Sequence, residues 1–348
     1  VALHDLTPDQ LQFMQPPTVA AYTTWLTRRQ SRAAAKFKRD ANDAEAAFLA
    51  SRLRVDTEPL PDGRSSILWI GDRHKASKFV FFLHGGGYIA PAMPGHMEWC
   101  ARAYLFSSPA AQGTCKEGEK HEEVAVAVLQ YTLCPHGHYP TQLQQAADAM
   151  AHLFASGRVT PRNLVIGGDS AGGNLTAQVL GHLVRPHPAA REVVLEEPLA
   201  GAFLVSPWVS GRKDWASMER NAGIDMISAE LRSWALEGED YLAEAKEKKN
   251  GWAMPMDLED PEGWFRGLDR VVKQVYVTAG EQEALLDQGA AFAEAVRRGN
   301  PGMNVQLELM KGEAHDWVLL EGEKGVDGDA TTRMRKWFTG VFWPSSGQ

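Results

Sequence analysis

The sequence predicts an α/β fold built on a mostly parallel central sheet with helices on both faces. Three observations predict it. Short β-rich runs alternate with helix-length amphipathic stretches from Ser65 onward, the signature of βαβ units. The chain has 348 residues and is 44% hydrophobic, enough to bury a large core. The alternation breaks only once, between Pro207 and Val272, by about sixty residues rich in Trp, Met and charge.

Taken in chain order, residues 1–54 read as helical: Pro8–Gln15, Val19–Gln30, then Ala33–Arg54. The basic cluster Arg28, Arg29, Arg32, Lys36, Lys38 and Arg39 is read as a solvated helix face rather than a membrane contact. Strands are expected at Ile67–Ile70, Phe79–Leu83, Val124–Leu133, Leu164–Ile166, Ala202–Val205, Val272–Val277 and Val305–Met310. Helices are expected at Gln142–Ala155, Leu175–Leu183, Ala284–Arg298 and Thr331–Phe342, and the polar stretch Ser107–Glu123 reads as a surface loop. The interruption carries one helical pattern, Ser228–Ala245, and no convincing strand, so it is expected to fold over the sheet edge as a cap. The expected division is residues 1–54 as N-terminal helices joining the cap, 55–209 as the first part of the core, 210–268 as the cap insertion, and 269–348 as the second part of the core.

Bulk numbers exclude several classes of function. A net charge of -8 leaves no electrostatic footprint for nucleic acid. No run of 18 apolar residues exists, so no transmembrane segment is expected. The first ten residues lack a signal-peptide layout, and Cys100, Cys115 and Cys134 are too scattered for a disulfide framework or zinc site. These features favour reduced thiols in a cytoplasmic enzyme; self-association as a homodimer stays open.

Chemistry enters at Gly168-Asp169-Ser170-Ala171-Gly172, which lies directly between a strand and a helix. Glycines on either side of a serine there allow a sharp turn that exposes the hydroxyl. A nucleophilic serine needs a base, a carboxylate that orients the base, and N–H donors for an oxyanion. His84-Gly85-Gly86-Gly87 follows a strand and frees backbone amides to face a ligand; its partner donor would be Ala171. His315, on a loop after the last β-rich run, is the candidate base, and Glu283, after the run ending at Thr278, the candidate acid, with Asp287 as runner-up. The order Ser, acid, His suits a serine hydrolase of this architecture. Each piece alone has a dull reading, as a turn, a surface histidine or a helix-start carboxylate. Their occurrence together, in order and each after a strand, carries the argument.

At these residues the chain resembles the hormone-sensitive-lipase family of α/β-hydrolases. The resemblance rests on His84-Gly85-Gly86-Gly87-Tyr88, Tyr131-Thr132-Leu133-Cys134-Pro135, Tyr139-Pro140, Gly168 to Leu175, Ser206-Pro207-Trp208 and Gly312 to His315. It covers most of the chain beyond the N-terminal helices. It implies Ser170 as nucleophile, His315 as base, the N–H groups of Gly86, Gly87 and Ala171 as oxyanion hole, and no metal or organic cofactor. His84 would shape the loop. Two departures stand out: Glu283-Ala284-Leu285 replaces the family's Asp-Pro-Leu, and Pro135-His136-Gly137-His138 its Pro-Glu-His. That His-x-His is read as a loop feature rather than a metal site.

The expected substrate is a small, uncharged, hydrophobic ester, with a short acyl group favoured. Trp215, Met218, Met226, Trp234, Trp252, Met254, Met256 and Trp264 are many large apolar side chains for one insertion, and Met and Trp line adaptable apolar pockets. Tyr88, Met93, Trp215, Met226 and Trp234 are the candidate pocket residues. The chain looks closest to fungal members of the family, some of which act on acetylated sterols or secondary metabolites. Two alternatives stay open: a dehydratase or cyclase of the same fold that uses the triad to move protons, and an inactive binding protein.

Overall fold

A computed structural model describes residues 18–112, 122–227 and 251–344. Eight strands form one sheet: β1 (Thr57–Pro59), β2 (Ser66–Ile70), β3 (Lys78–Leu83), β4 (Val124–Gln130), β5 (Leu164–Asp169), β6 (Gly201–Val205), β7 (Gln274–Gly280) and β8 (Asn304–Met310). Their order is β1-β2-β4-β3-β5-β6-β7-β8. The two pairings that involve β2 are antiparallel, and the other five are parallel.

Strand periodicity sorts side chains onto two faces. Ile67, Trp69, Phe79, Phe81, Leu83, Ala125, Ala127 and Leu129 point into one core, with the helices Thr141–Ala155, Ala171–Val184 and Leu286–Gly299. The alternate residues, Leu68, Ile70, Val80, Phe82, Val124, Val126 and Val128, enter the opposite core under Thr18–Arg39, Pro94–Ala103 and Asp329–Phe342. Burial on both faces explains why these strands are continuous apolar runs rather than alternating ones.

The N-terminal region differs from expectation in where its helices break. One helix runs unbroken over Thr18–Arg39, and the break falls at residues 40–43, where Asp43 caps the next helix, Ala44–Arg52, by accepting the Ala46 N–H at 2.8 Å. These helices bury Tyr22, Leu26, Phe48 and Leu49 in the second core. The expected helix Pro8–Gln15 lies outside the described residues.

The expected loop at Ser107–Glu123 begins with structure. Pro109–Gln112 is a short helix, and Ser107, Ser108 and Ala111 are buried. Between β6 and β7 the described residues hold short helices, Ala216–Arg220 and Pro261–Phe265, and no strand. The expected helix Ser228–Ala245 lies outside them. Among the described residues, no helix is long and apolar enough to cross a membrane, and no cluster of His, Cys, Asp or Glu could hold a metal ion. Cys100 is a buried free thiol, Cys134 is buried with its Sγ 3.2 Å from Gly137 O, and Cys115 lies outside the described residues.

Candidate active site

Five loops leave the carboxyl ends of β3, β5, β6, β7 and β8 and meet above the sheet, the edge at which open α/β sheets gather ligands. Ser170 follows β5 on the sharpest turn, with φ 51° and ψ −116°, a left-side conformation that a side chain rarely adopts. Hydrogen bonds hold it there: its N–H donates to Val205 O at 2.9 Å, and its carbonyl accepts from Asn174 and Trp208 N–H at 3.0 and 3.1 Å. The flanking glycines permit the approach. A Cβ at Gly168 or Gly172 would lie 2.0 or 1.9 Å from Leu83 O, at the end of β3.

His315 sits on the loop after β8, with Nε2 2.9 Å from Ser170 Oγ. Its Nδ1 lies 3.8 Å from Glu283 Oε2, within ion-pair range and too long for a direct hydrogen bond. Both Nδ1 and Glu283 Oε1 are buried with no hydrogen-bond partner among the described residues. Glu283 is fully buried, and its Oε2 accepts from Ser206 Oγ at 2.6 Å. Burial pushes this carboxyl above its ordinary value, against the opposite pull of His315 and Ser206. Asp287 is occupied elsewhere: its carboxylate accepts from the Ser217 N–H at 2.7 Å and from Arg220 at 3.4 Å. Of the two acids considered from sequence, the structure therefore brings Glu283 to His315.

A carboxylate the sequence reading missed also faces the imidazole. Asp316, with φ 53°, sets Oδ2 3.0 Å from His315 Nε2. Burial is the largest influence on His315 and disfavours its cation, but Asp316 and Glu283 outweigh it and hold the imidazole well above its ordinary value. Burial pushes Asp316 itself up to about 6.

The glycine loop after β3 turns its backbone through positive φ at Gly86 (108°) and Gly87 (61°). The N–H groups of Gly86, Gly87 and Ala171 find no acceptor among the described residues. Asp169 ties this loop to the serine turn, because Oδ1 accepts the Gly85 N–H at 3.0 Å. Its Oδ2 takes His96 Nε2 at 3.1 Å, and His96 Nδ1 in turn accepts the Met93 N–H at 2.9 Å, which fixes the proton on Nε2. His84 is buried and pushed down to about 4, chiefly by burial, so it stays neutral. It stacks on Tyr131 with ring centroids 4.3 Å apart.

The expected pocket residues scatter. Tyr88 corrects its expectation: the ring is wholly buried and the hydroxyl donates to Asn174 Oδ1 at 2.6 Å, so it braces the glycine loop from beneath instead of lining open space. Met93 and Met226 are 39% and 61% exposed. Trp215 is half-buried, with its indole N–H on Ser210 Oγ at 3.0 Å and the Arg212 guanidinium over its ring. Trp234 lies outside the described residues. Ser206 lies in the stretch Ser206-Pro207-Trp208 and Asp316 directly follows His315, but the sequence reading assigned neither to the site; His96 carries no local motif, and only the fold brings it to the site.

A family model described as an alpha/beta hydrolase fold matches residues 80–319. The chain is 24% identical over 266 residues to Lipase 2 of Moraxella sp., across 73% of this chain and 57% of that protein. It is 25% identical over 265 residues to the ethyl acetate hydrolase of Pseudomonas putida, across 72% and 71% of the two chains. The match thus spans less than two thirds of the lipase's own length. A solved structure of a hormone-sensitive lipase from a metagenome library superimposes with a TM-score of 0.63 at 18% identity, covering 83% of each chain.

Proposed function

The chain belongs to the alpha/beta hydrolase fold family, and from that premise we propose that it is a serine carboxylic-ester hydrolase working through an acyl-enzyme. The single observation that carries the reading is the 2.9 Å approach of His315 Nε2 to the hydroxyl of a serine held on a strained turn. Such a pair is the activated nucleophile of acyl transfer.

Ser170 Oγ attacks the acyl carbon while its proton passes to His315 Nε2. The carbonyl oxygen becomes an oxyanion facing the amides of Gly86, Gly87 and Ala171, each such donor being worth about 3 kcal/mol in the transition state. Glu283 stabilises the imidazolium from the Nδ1 side. Collapse expels the alkoxide, which takes the proton from His315 and leaves as the alcohol. Water then repeats the cycle on the acyl-enzyme, and its proton returns to Ser170.

An uncharged ester suits the site best. Glu283, Asp316 and Asp169 are buried carboxylates around the reacting serine, and they oppose an anionic group. The relative named for ethyl acetate supports a short acyl chain. We assign residues 210–268 as the cap insertion.

The test is Ser170→Ala against p-nitrophenyl esters of graded acyl length, with acetylated sterol and polyketide panels alongside. Turnover should fall by roughly four to six orders of magnitude. Near-full hydrolysis by that variant would exclude the scheme, and water loss from a hydroxylated substrate without ester cleavage would replace it with a lyase.

A further inference from the structure

Asp225 lies on the segment between β6 and β7, 59 residues before Ala284 and 90 before His315. Its own N–H closes a turn on the Asn221 carbonyl at 3.0 Å, and the residue is only 8% exposed. Both carboxylate oxygens are used, on two different loops. Oδ2 accepts the Ala284 N–H at 2.5 Å, next to Glu283, and Oδ1 accepts the His315 N–H at 3.1 Å. Asn221 supports the same place, its Nδ2 donating to Glu283 O at 2.8 Å and to Glu281 O at 3.2 Å. The two loops also touch directly, through the Gln282 N–H on Glu313 O at 2.9 Å, but that bond lies nearer the strand ends. At the level of the acid and the imidazole, Asp225 spans them.

We propose that Asp225 is a positioning residue, whose two oxygens set the separation of the loops that carry Glu283 and His315. The inference rests on the reading of those two residues as acid and base. The geometry explains why such a bridge matters. Glu283 Oε2 and His315 Nδ1 stand 3.8 Å apart with no hydrogen bond between them, so the strength of their pairing follows the backbone spacing directly. A charged acceptor between two N–H donors is a strong and short tie, and its bite is fixed by one carboxylate. Residues 221–225 thereby reach the reacting imidazole without touching it.

Asp225→Asn tests this. Asparagine keeps the size but offers one acceptor, and its amide N–H would face a backbone N–H across the bridge. We expect kcat to fall about tenfold to a hundredfold, with KM within about threefold, because misplacement acts on the transition state. In a Glu283→Gln background the added loss should be under about threefold, as the two changes remove one pairing. An unchanged kcat, a rise in KM alone, or a loss that multiplies in full with Glu283→Gln would each overturn the proposal. If the variant does not fold, amide exchange in the unaltered protein decides: Ala284 and His315 N–H should both be slow, and free-loop exchange at either sinks the bridge. Failure here is separable from failure of the esterase reading. A fully active Ser170→Ala enzyme would remove that reading, whereas a fully active Asp225→Asn enzyme beside an inactive Ser170→Ala one removes only the bridge.

Discussion

Glu283→Gln should be the most informative substitution after the nucleophile itself, because it separates two candidate acids four residues apart. Glutamine keeps the length of the side chain and an oxygen for the Ser206 hydroxyl, so the packing is preserved. What is lost is one negative charge 3.8 Å from His315 Nδ1. With an effective dielectric of about 20, 332/(εr) gives roughly 4 kcal/mol of stabilisation for the imidazolium. That converts to about a thousandfold in kcat, since each 1.36 kcal/mol is about tenfold. Asp287→Asn removes a charge that is bound to the Ser217 N–H and Arg220, and should cost less than about tenfold. The assay is the initial rate on a saturating short-chain p-nitrophenyl ester, with circular dichroism to confirm folding. If Glu283→Gln keeps more than about a tenth of the activity, or Asp287→Asn loses more than Glu283→Gln, the assignment of the acid is wrong.

Other outcomes follow from the same geometry. Because Asp316 and Glu283 hold the His315 cation, the neutral base forms only above the usual histidine range, so kcat/KM should rise with pH through and beyond it. Asp316→Asn removes one of those charges and should move this limb to lower pH; a shift to higher pH would contradict the placement of the carboxylate. Asp316 pushed up to about 6 means the folded state favours its protonated form. Its ionisation is therefore disfavoured by folding, and that opposition develops between the unfolded value, about pH 4, and about pH 6. Gly172→Ala puts a methyl 1.9 Å from Leu83 O and should destabilise by about 3 kcal/mol or more with loss of activity, read by thermal melting. Gly340→Ala meets nothing within 4 Å in a helix and should stabilise by about 1 kcal/mol, so equal effects of the two would undo the steric reading.

Much of the architecture was legible because β2 to β7 are short apolar runs largely buried on both faces, while β8, at the sheet edge, alternates polar and apolar residues. Each expected run overlaps its strand, with no end off by more than three residues. Strand β1, Thr57–Pro59, escaped because three residues carry too little pattern. The helix Pro94–Ala103 escaped for a different reason: eight of its ten residues are buried, so no polar face betrays its period. Local chemistry marked the serine turn and glycine loop, because each gathers its glycines into one short stretch beside the functional residue. Nothing local marks Asp225, which serves residues 59 and 90 positions away, or His96, which reaches Asp169 across 73. A side chain that acts on a distant backbone has no signature in its own neighbourhood.

Leu83 faces Gly168 across adjacent strands, while β8 stands three strands beyond β5. The amides and the hydroxyl are thus riveted to one seam of the sheet, and the imidazole is carried on its far margin. Gentle warming should therefore strip the molecule of proton transfer while the cradle for a tetrahedral adduct survives. A boronic acid, which asks only for the hydroxyl and those amides, should still be gripped at temperatures where turnover has already faded.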